Sequence, residues 1–381
     1  MAQPLSLYIH VPFCAQKCYY CAFFSQAHQE RYIPDYFQAL ELELQLYLPR
    51  LQKNEITTLY IGGGTPSLVE PDYISRLLTI INQTLNLTNQ IEVTLEANPE
   101  SLTQHKLAEY AKAGVNRLSI GLQAWQPHIL RALNRPYQLD TFLEIYQYVQ
   151  QSAIHNYNLD LMFGLPNQTL EEWRESLERT IALKPNHISC YSLELDNHSV
   201  FGRRVQRKTL AIPSERLDRA MYALAKKLLS AAGYHQYELS NFALPGFESK
   251  HNTAFWHNIP YLGLGAGAAS CWQNKEWMNV PDTAKYISQL NQHHLPIEQQ
   301  TELTQRDQLL AAISLGLRLA EGIDLNSLMA SYEPTRPQYN WQKLESLVTE
   351  KLIKKVGSRY ILTDQGQDIA DTVIASVIAN L

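Results

Sequence analysis

Short apolar runs alternate with amphipathic segments from Leu5 to about Leu195. The runs are rich in the β-branched and apolar residues of buried strands, and the segments between them repeat apolar residues on one helical face. The pattern predicts six strands, at Leu5–His10, Thr57–Ile61, Ile91–Leu95, Arg117–Ile120, Asn158–Met162 and His187–Ser192. It predicts the intervening helices at Tyr36–Tyr47, Tyr73–Thr84, Leu102–Lys112, Asp140–Gln151 and Leu170–Leu183.

This alternation is typical of the α/β class, with parallel strands joined by right-handed crossovers. Six such units make a partial (β/α)6 barrel. In barrels of this kind the chemistry collects where the strands end, at their carboxyl edge. The residues that directly follow each predicted strand are therefore the candidates for a functional site.

The second half of the chain has a different pattern. It predicts a helix at Ser214–Ala232, a strand near Tyr234–Leu239 and a loop over Ser240–Lys250. From about Arg306, helices, a hairpin over Leu352–Leu362 and a last helix indicate a small winged-helix-like α+β domain. We expect a core domain at residues 1–240, a connecting region at 241–305 and a C-terminal domain at 306–381.

Composition narrows the range of partners. The 381 residues are 45% hydrophobic and carry a net charge of -5, which argues against nucleic-acid binding and leaves small molecules or proteins as partners. No apolar run approaches the ~20 residues of a membrane span, and the N-terminus lacks the pattern of a secretory signal. We therefore expect a cytoplasmic protein.

Three of the five cysteines, Cys14, Cys18 and Cys21, directly follow the first predicted strand with Cx3Cx2C spacing. Three thiolates on one tight loop can each bind one iron of a 4Fe-4S cubane and leave the fourth iron open to an exogenous ligand. A structural zinc site normally has four protein ligands, and no second Cys or His pair stands nearby. Zinc and purely structural cysteines are the alternatives.

The cysteine motif, with Tyr20 before its last cysteine, resembles the signature of the radical S-adenosylmethionine (SAM) superfamily. Further segments resemble one subgroup of it, which contains oxygen-independent coproporphyrinogen III oxidase and the heme chaperone family HemW. These segments are Tyr8–Phe13, Gly62–Pro66, Glu96–Pro99, Ser119–Gln123 and Asp160–Pro166. The resemblance implies a 4Fe-4S cluster whose open iron chelates the amino and carboxylate groups of SAM.

The resemblance also implies which residues contact SAM. They are Tyr8, Tyr20, Gly63, Gly64, Thr65, Glu96, Gln123, Arg135 and Asp160. All of them except Gln123 have a plainer interpretation: a strand-to-helix turn for the glycine loop, surface ion pairs for the two carboxylates, a helix-end salt bridge for Arg135, and loop packing for the tyrosines.

Two features favour the heme chaperone branch. The oxidase has a fourth cysteine two positions after the motif, where this chain has Phe23, and a long N-terminal arm, whereas seven residues precede Tyr8 here. The resemblance then implies a protein that binds heme and passes it to an acceptor protein, with no catalytic residue assigned. The alternative is the oxidase of porphyrin biosynthesis itself. Expected partners also include a flavodoxin or ferredoxin, if SAM is cleaved, and a second copy of the chain.

The heme chaperones carry a His-Asn-x-x-Tyr-Trp element, and this chain has His251-Asn252-Thr253-Ala254-Phe255-Trp256. The resemblance implies that His251 contacts heme, and a neutral imidazole is a standard axial ligand of heme iron. Judged from its own sequence surroundings, His251 is an ordinary hydrogen-bonded loop histidine. The basic run Arg203–Lys208 is interpreted as a solvated loop, with pairing to heme propionates as the alternative.

Overall fold

The computed structural model describes residues 2–135, 138–332 and 341–379. Within these ranges the strands are β1 (Gln3–Val11), β2 (Phe13–Cys14), β3 (Gln26–Ala27), β4 (Asn54–Gly63), β5 (Leu87–Ala97), β6 (Arg117–Gln123), β7 (Asn156–Phe163), β8 (His187–Ser192), β9 (His235–Gln236), β10 (Asn241–Ala243), β11 (Tyr261–Leu264), β12 (Ala269–Trp272), β13 (Lys275–Asn279), β14 (Ile297–Glu302), β15 (Ile323–Asp324), β16 (Ile353–Val356) and β17 (Arg359–Leu362).

The helices of the same ranges are α1 (Ile33–Leu51), α2 (Pro71–Thr84), α3 (Gln104–Ala113), α4 (Pro127–Ala132), α5 (Leu139–Gln151), α6 (Leu170–Leu183), α7 (Val200–Gln206), α8 (Glu215–Ala231), α9 (Lys250–Trp256), α10 (Thr283–Asn291), α11 (Gln305–Gly316), α12 (Leu325–Ser331), α13 (Trp341–Thr349), α14 (Asp364–Asp368) and α15 (Ala370–Ile378). Single 3-10 turns lie at Glu30–Tyr32, Pro66–Leu68 and Pro99–Ser101.

The main sheet has the order β14-β13-β12-β11-β1-β4-β5-β6-β7-β8-β10-β9. Strands β1, β4, β5, β6, β7 and β8 are neighbours and run parallel. This confirms the predicted six-strand α/β core. The sheet ends in β14 on one side and β9 on the other, so it forms an open, partial barrel.

Some predictions for the second half were wrong. The segment predicted as the loop Ser240–Lys250 contains β10, which pairs antiparallel with β8, and the strand predicted over Tyr234–Leu239 is reduced to β9. The basic run predicted as a loop begins inside helix α7. These elements are short, and tertiary pairing rather than local periodicity creates them.

Alternate residues of the parallel strands face different environments. On β1, Leu5, Leu7 and Ile9 are fully buried in the main apolar cluster, whereas the opposite face carries Ser6, Tyr8 and His10. Strand register then aligns polar rows across the barrel interior, such as Ser6 with Thr58 and Thr58 with Glu92. Closed barrels of this class usually fill their interior with branched apolar side chains. A polar interior indicates a binding site instead.

The C-terminal part has a core of its own. Its apolar cluster extends from Leu309 to Val377, and its sheet has the order β15-β17-β16, which confirms the predicted hairpin and the α+β character. Residues 333–340 of the predicted domain lie outside the described residues. Strands β11 to β14 of the predicted connecting region belong to the main sheet, and the boundaries at 240 and 305 stay predictions.

Buried Glu43 of α1 joins the edge strands to the barrel. Its Oε2 accepts hydrogen bonds from the Gly265 amide at 2.8 Å and the Tyr286 hydroxyl at 2.6 Å, and its Oε1 accepts one from Asn279 Nδ2 at 2.6 Å. Two turns earlier, the Tyr36 hydroxyl donates to the His10 carbonyl at 2.7 Å. This network fixes the carboxyl end of β1, where the cysteine motif begins.

Replacing Glu43 by glutamine should lower the free energy of unfolding by about 1–3 kcal/mol, because an amide N–H would then face donors that need an acceptor. Urea unfolding of the apoprotein, followed by tryptophan fluorescence, measures the effect. Burial raises the pKa of Glu43 to about 7 from 4.5. The wild-type contribution is therefore complete below pH 4.5 and is lost as pH rises through about 7, so the deficit of the variant should shrink over that interval.

Glu41 is the matched control on the same helix, since its partner is the mostly exposed Arg76 at 2.7 Å. Glu41→Gln should cost less than about 1 kcal/mol. Equal effects of the two substitutions, or a Glu43→Gln deficit that grows with pH, would contradict this account of Glu43.

Candidate cofactor site

The three motif cysteines lie on one loop beyond β1. Cys14 is buried on β2, which pairs with β3, and Cys18 and Cys21 are partly exposed. The Cys21 amide donates to the Cys18 carbonyl at 3.3 Å, which folds the loop back on itself. Backbone bonds from the Tyr19 amide to the Leu133 carbonyl (3.1 Å) and from the Phe201 amide to the Tyr19 carbonyl (2.9 Å) hold the loop to α4 and α7.

The electrostatics of these thiols fit a multinuclear cluster. Burial raises the pKa of Cys14 to about 11, and the charges of neighbouring Cys21 and Cys18 contribute to this shift. Three close thiolates therefore need cationic partners, which bound iron supplies. Among the described residues, no set of three His, Cys, Asp or Glu side chains encloses a single metal ion. A cubane binds each cysteine to a different iron, so three cysteines on one loop fit a 4Fe-4S cluster.

The glycine loop after β4 packs directly against the cysteine loop. The Gly64 amide donates to the Val11 carbonyl at 2.8 Å, and the Thr65 amide donates to the Phe13 carbonyl at 2.7 Å. Thr65 Oγ1 also donates to Cys14 Sγ at 3.7 Å. A β-carbon on Gly64 would lie 2.7 Å from the Phe13 carbonyl oxygen. Only glycine allows this approach.

Glu96 lies near the carboxyl end of β5, and Asp160 lies in the middle of β7. Glu96 Oε2 accepts from the Gly63 amide at 2.9 Å, and its Oε1 accepts from the Tyr60 hydroxyl at 2.7 Å. Asp160 accepts from Ser119 Oγ at 3.2 Å and from Asn158 Nδ2 at 2.7 Å. Burial raises the pKa of Glu96 to about 7, with a further contribution from the Asp160 charge. The two carboxylates thus form one acidic region suited to a cation or to hydroxyl groups.

Gln123 and Arg135 converge above Gly121. A β-carbon on Gly121 would lie 2.7 Å from Arg135 Nη2 and 2.9 Å from Gln123 Nε2. Gln123 has a φ of 66°, a conformation rare for a residue with a side chain and concentrated at functional sites. Arg135 Nη1 donates to Asn98 Oδ1 at 2.9 Å, and Asn98 Nδ2 donates to Thr65 Oγ1 at 3.1 Å. The arginine is thereby connected to the cysteine loop.

The two predicted tyrosines line opposite sides of this region. Tyr8 donates its hydroxyl to His10 Nδ1 at 2.9 Å, and His10 Nε2 donates to the Phe24 carbonyl at 2.8 Å. Burial lowers the pKa of His10 to about 4, so this imidazole is neutral. Tyr20 lies near Cys18 and Arg135, and burial raises its pKa well above the usual value. The structure therefore brings the nine predicted SAM contacts together around the cysteine loop.

Replacing Gly63 by alanine should weaken SAM binding by about tenfold or more, a loss typical of disturbed support around a metal site. The new β-carbon would lie 2.4 Å from the His10 imidazole, at a φ of 112° that side chains rarely adopt. Equilibrium binding of SAM to the anaerobic, cluster-loaded protein measures the loss.

Gly114 at the end of α3 is the matched control, because it has a φ of 103° and a β-carbon added to it would meet no atom within 4 Å. Gly114→Ala carries a comparable backbone strain and should cost about 1–3 kcal/mol of stability while leaving SAM affinity unchanged. Unaltered SAM affinity in Gly63→Ala would exclude this loop from the SAM site.

A cavity of about 330 Å³ adjoins the predicted SAM contacts at Tyr8. It is lined by Ser6, Tyr8, His251, Phe255, Ile259, Tyr261 and Ala269. Tyr8 belongs to both regions. His251 and Phe255 lie on α9, so the sequence element that contains them folds as a helix against the barrel interior.

His251 is held firmly in the barrel interior. Thr58 Oγ1 donates to Ser6 Oγ at 2.9 Å and lies 2.9 Å from His251 Nδ1, so Thr58 accepts the Nδ1–H hydrogen. Glu92 accepts from the amides of Lys250 and His251, each at 3.1 Å, and so fixes the first turn of α9. No hydrogen bond to His251 Nε2 is found among the described residues, and this atom carries the lone pair.

Buried Arg117 supports the neutral state of His251. Burial lowers the pKa of His251 to about 4, and the Arg117 charge contributes to the shift. Sequence analysis missed Arg117, Thr58, Tyr60 and Glu92. The available signal was that polar residues alternate with apolar ones along β4 and β5. This alternation indicates a site only once both strands are known to face the same barrel interior.

Comparison with known proteins agrees with this geometry. Residues 8–180 match the radical SAM superfamily, whose members hold a 4Fe-4S cluster and SAM. The fold is that of a solved structure described as coproporphyrinogen III oxidase (HemN) from Escherichia coli, a radical SAM enzyme. Its TM-score is 0.86 at 22% identity, and the match covers 100% of this chain and 91% of that one.

Curated relatives identify the family within that class. A heme chaperone HemW from Bacillus subtilis is 32% identical over 99% of this chain and 100% of its own length. A HemW from Lactococcus lactis is 32% identical over 98% and 97%, and one from Escherichia coli is 38% identical over 70% and 69%. The chain belongs to the HemW family. In the described ranges, no helix is both long and apolar enough to cross a bilayer.

Proposed function

We propose that this protein is a cytoplasmic heme chaperone, which binds heme with His251 as an axial ligand and transfers it to an acceptor protein. The observation that carries the proposal is His251 itself. It is a neutral imidazole that is held through Nδ1 and lines a cavity, and no hydrogen bond to its Nε2 is found among the described residues. Phe255 and Tyr261 supply apolar and aromatic surface for a macrocycle. Family membership supports the same function.

Phe255 stands where the family has tyrosine, and its environment supports a packing role. Its ring lies 5.1 Å from that of Trp256 and 5.7 Å from that of Tyr261, centre to centre. The side chain is 38% exposed at the cavity. Phe255 therefore retains the aromatic surface and lacks only the hydroxyl.

Cys14, Cys18 and Cys21 would hold the 4Fe-4S cluster, and the nine residues around the glycine loop would hold SAM. When bound, the cluster and SAM supply an open iron and a reactive sulfonium at the barrel mouth. The chain's own residues orient them: Glu96 and Asp160 offer acceptors, Arg135 offers a planar donor, and Gly63 and Gly64 allow backbone contact. Control of heme binding or release is the role that we assign to this site.

An acidic electron carrier and a homodimer are further parts of the proposal. The exposed Arg203, Arg204, Arg207 and Lys208 lie beside the cysteine loop, because Arg204 stacks over the Tyr19 ring at 4.8 Å. A basic rim next to a cluster suits a negatively charged flavodoxin or ferredoxin. Phe23, two positions after the last cysteine of the motif, adds an apolar side chain that is 71% exposed.

The test of function is an anaerobic titration of the cluster-loaded protein with heme, followed by mixing with an apo-acceptor hemoprotein. Decarboxylation of coproporphyrinogen III is assayed in parallel. Stoichiometric binding with a Soret shift, release to the acceptor and no decarboxylation are expected. Turnover of coproporphyrinogen III without specific heme binding would show that the function is that of the oxidase and not that of a chaperone. Phe23 in place of the fourth cysteine favours the chaperone.

A further inference from the structure

Tyr60 lies between Glu96 and His251. Its hydroxyl donates to Glu96 Oε1 at 2.7 Å, on the side of the predicted SAM contacts. Its ring centre lies 4.9 Å from that of the His251 imidazole, with an angle of 30° between the planes, and 6.2 Å from that of Tyr8, with an angle of 26°. Burial raises the pKa of Tyr60 well above its usual value, so the hydroxyl stays a donor.

Strand β4 holds both neighbours of Tyr60 through other residues. Three residues after Tyr60, the Gly63 amide binds the second oxygen of Glu96 at 2.9 Å. Two residues before it, Thr58 binds His251 Nδ1 at 2.9 Å. One rigid parallel strand therefore positions the Glu96 carboxylate and the His251 imidazole together. A movement of Tyr60 changes the surroundings of both groups.

We propose that Tyr60 is a positioning residue that couples SAM binding at Glu96 to heme binding at His251, so that each ligand raises the affinity for the other. The proposal rests on the heme function proposed above. SAM fixes the Glu96 carboxylate, the carboxylate fixes the Tyr60 hydroxyl, and the Tyr60 ring restricts the imidazole. The second ligand then meets a group that is already ordered and loses less conformational entropy on binding.

The coupling is reciprocal, because the two ligands bias the same element. Heme affinity should rise about fivefold at saturating SAM, and SAM affinity should rise by the same factor at saturating heme, which is at the lower end of usual coupling strengths. We expect each ligand to strengthen rather than weaken the binding of the other. The Tyr60 ring already lies against the imidazole, so restricting the ring favours the arrangement that His251 has here.

The test uses the full, cluster-loaded chain under anaerobic conditions. Heme dissociation constants are measured by absorbance with and without SAM, and SAM dissociation constants with and without heme. Tyr60→Phe removes the bond to Glu96 and keeps the ring against His251. Its heme affinity without SAM should stay within about twofold of wild type, while the fivefold effect of SAM falls to about one.

Tyr148→Phe is the matched control, because the Tyr148 hydroxyl also donates to a glutamate, Glu144, at 3.1 Å, but on the exposed side of helix α5. This variant should keep the full coupling. Tyr60→Leu removes ring and hydroxyl together, and it should lose the coupling and also weaken heme binding without SAM. Iron content and circular dichroism establish that each variant is folded and loaded.

The outcomes separate this inference from the proposed function. Wild-type protein that binds heme and SAM without mutual effect would overturn the coupling and leave the chaperone function intact. So would coupling that persists in Tyr60→Phe, whatever the result for Tyr60→Leu. Wild-type protein that binds no heme would overturn the chaperone function and this inference with it.

Discussion

Cys18→Ala protein is expected to lose its cluster completely, from about four irons per chain to nearly none after anaerobic reconstitution. Cys18 lies on the exposed turn of the loop, where the Cys21 amide closes back on its carbonyl at 3.3 Å. Two remaining thiolates bind a cubane through two irons only, and no other cysteine of the chain lies in this motif. Iron and sulfide analysis and the absorbance near 400 nm measure the loss.

Cys271→Ala provides the control for the removal of a thiol. Cys271 is a partly exposed cysteine on β12, paired in register with Tyr261 and outside the cysteine loop. This variant should retain about four irons. Full iron content and unchanged absorbance in Cys18→Ala would overturn the assignment of the cluster to these three cysteines.

His251→Ala protein is expected to bind heme more than about tenfold more weakly, since replacing even a residue that only supports a metal ligand costs about 10- to 100-fold in affinity. The substitution removes the axial nitrogen and leaves the cavity lining of Tyr8, Phe255 and Tyr261 in place. Residual, weaker binding through apolar contact should remain. The Soret band of that residual complex should lack the features of imidazole coordination.

His257→Ala is the matched control at the end of the same helix. His257 lies 3.6 Å from Glu321 and is 45% exposed, and it should not change heme affinity. If the two histidine variants bind heme equally well, His251 is not the ligand. Unchanged iron content in His251→Ala would show in the same samples that the effect is confined to heme.

The cluster could be predicted from sequence because its three ligands lie within eight residues of one another. Local spacing decides whether one loop can present three thiols, and tertiary contacts only refine that loop. The glycine loop could also be predicted from local sequence, because glycines such as Gly63 and Gly64 mark positions where the backbone adopts unusual conformations or approaches another group closely. Strand positions were predictable for the same reason: alternation of period two is a property of the local chain.

The support around His251 could not be predicted in this way. Thr58, Glu92 and Arg117 come from three separate strands, between 134 and 193 residues before His251 in the chain. Each has an ordinary interpretation as a polar strand residue. Their common position results from the parallel register that aligns Thr58 with Glu92, and long-range register is set by packing rather than by any one segment.

The sequence by itself determined the α/β class, the six parallel strands and the cysteine loop. These features depend on periodicity and on spacing within short segments, which the chain carries locally. Only the tertiary structure decided that the barrel interior is polar, that α9 places His251 against β4, and that Tyr60 contacts both Glu96 and His251. Such contacts arise when distant strands share one interior, because side-chain packing and hydrogen bonding between them are non-local.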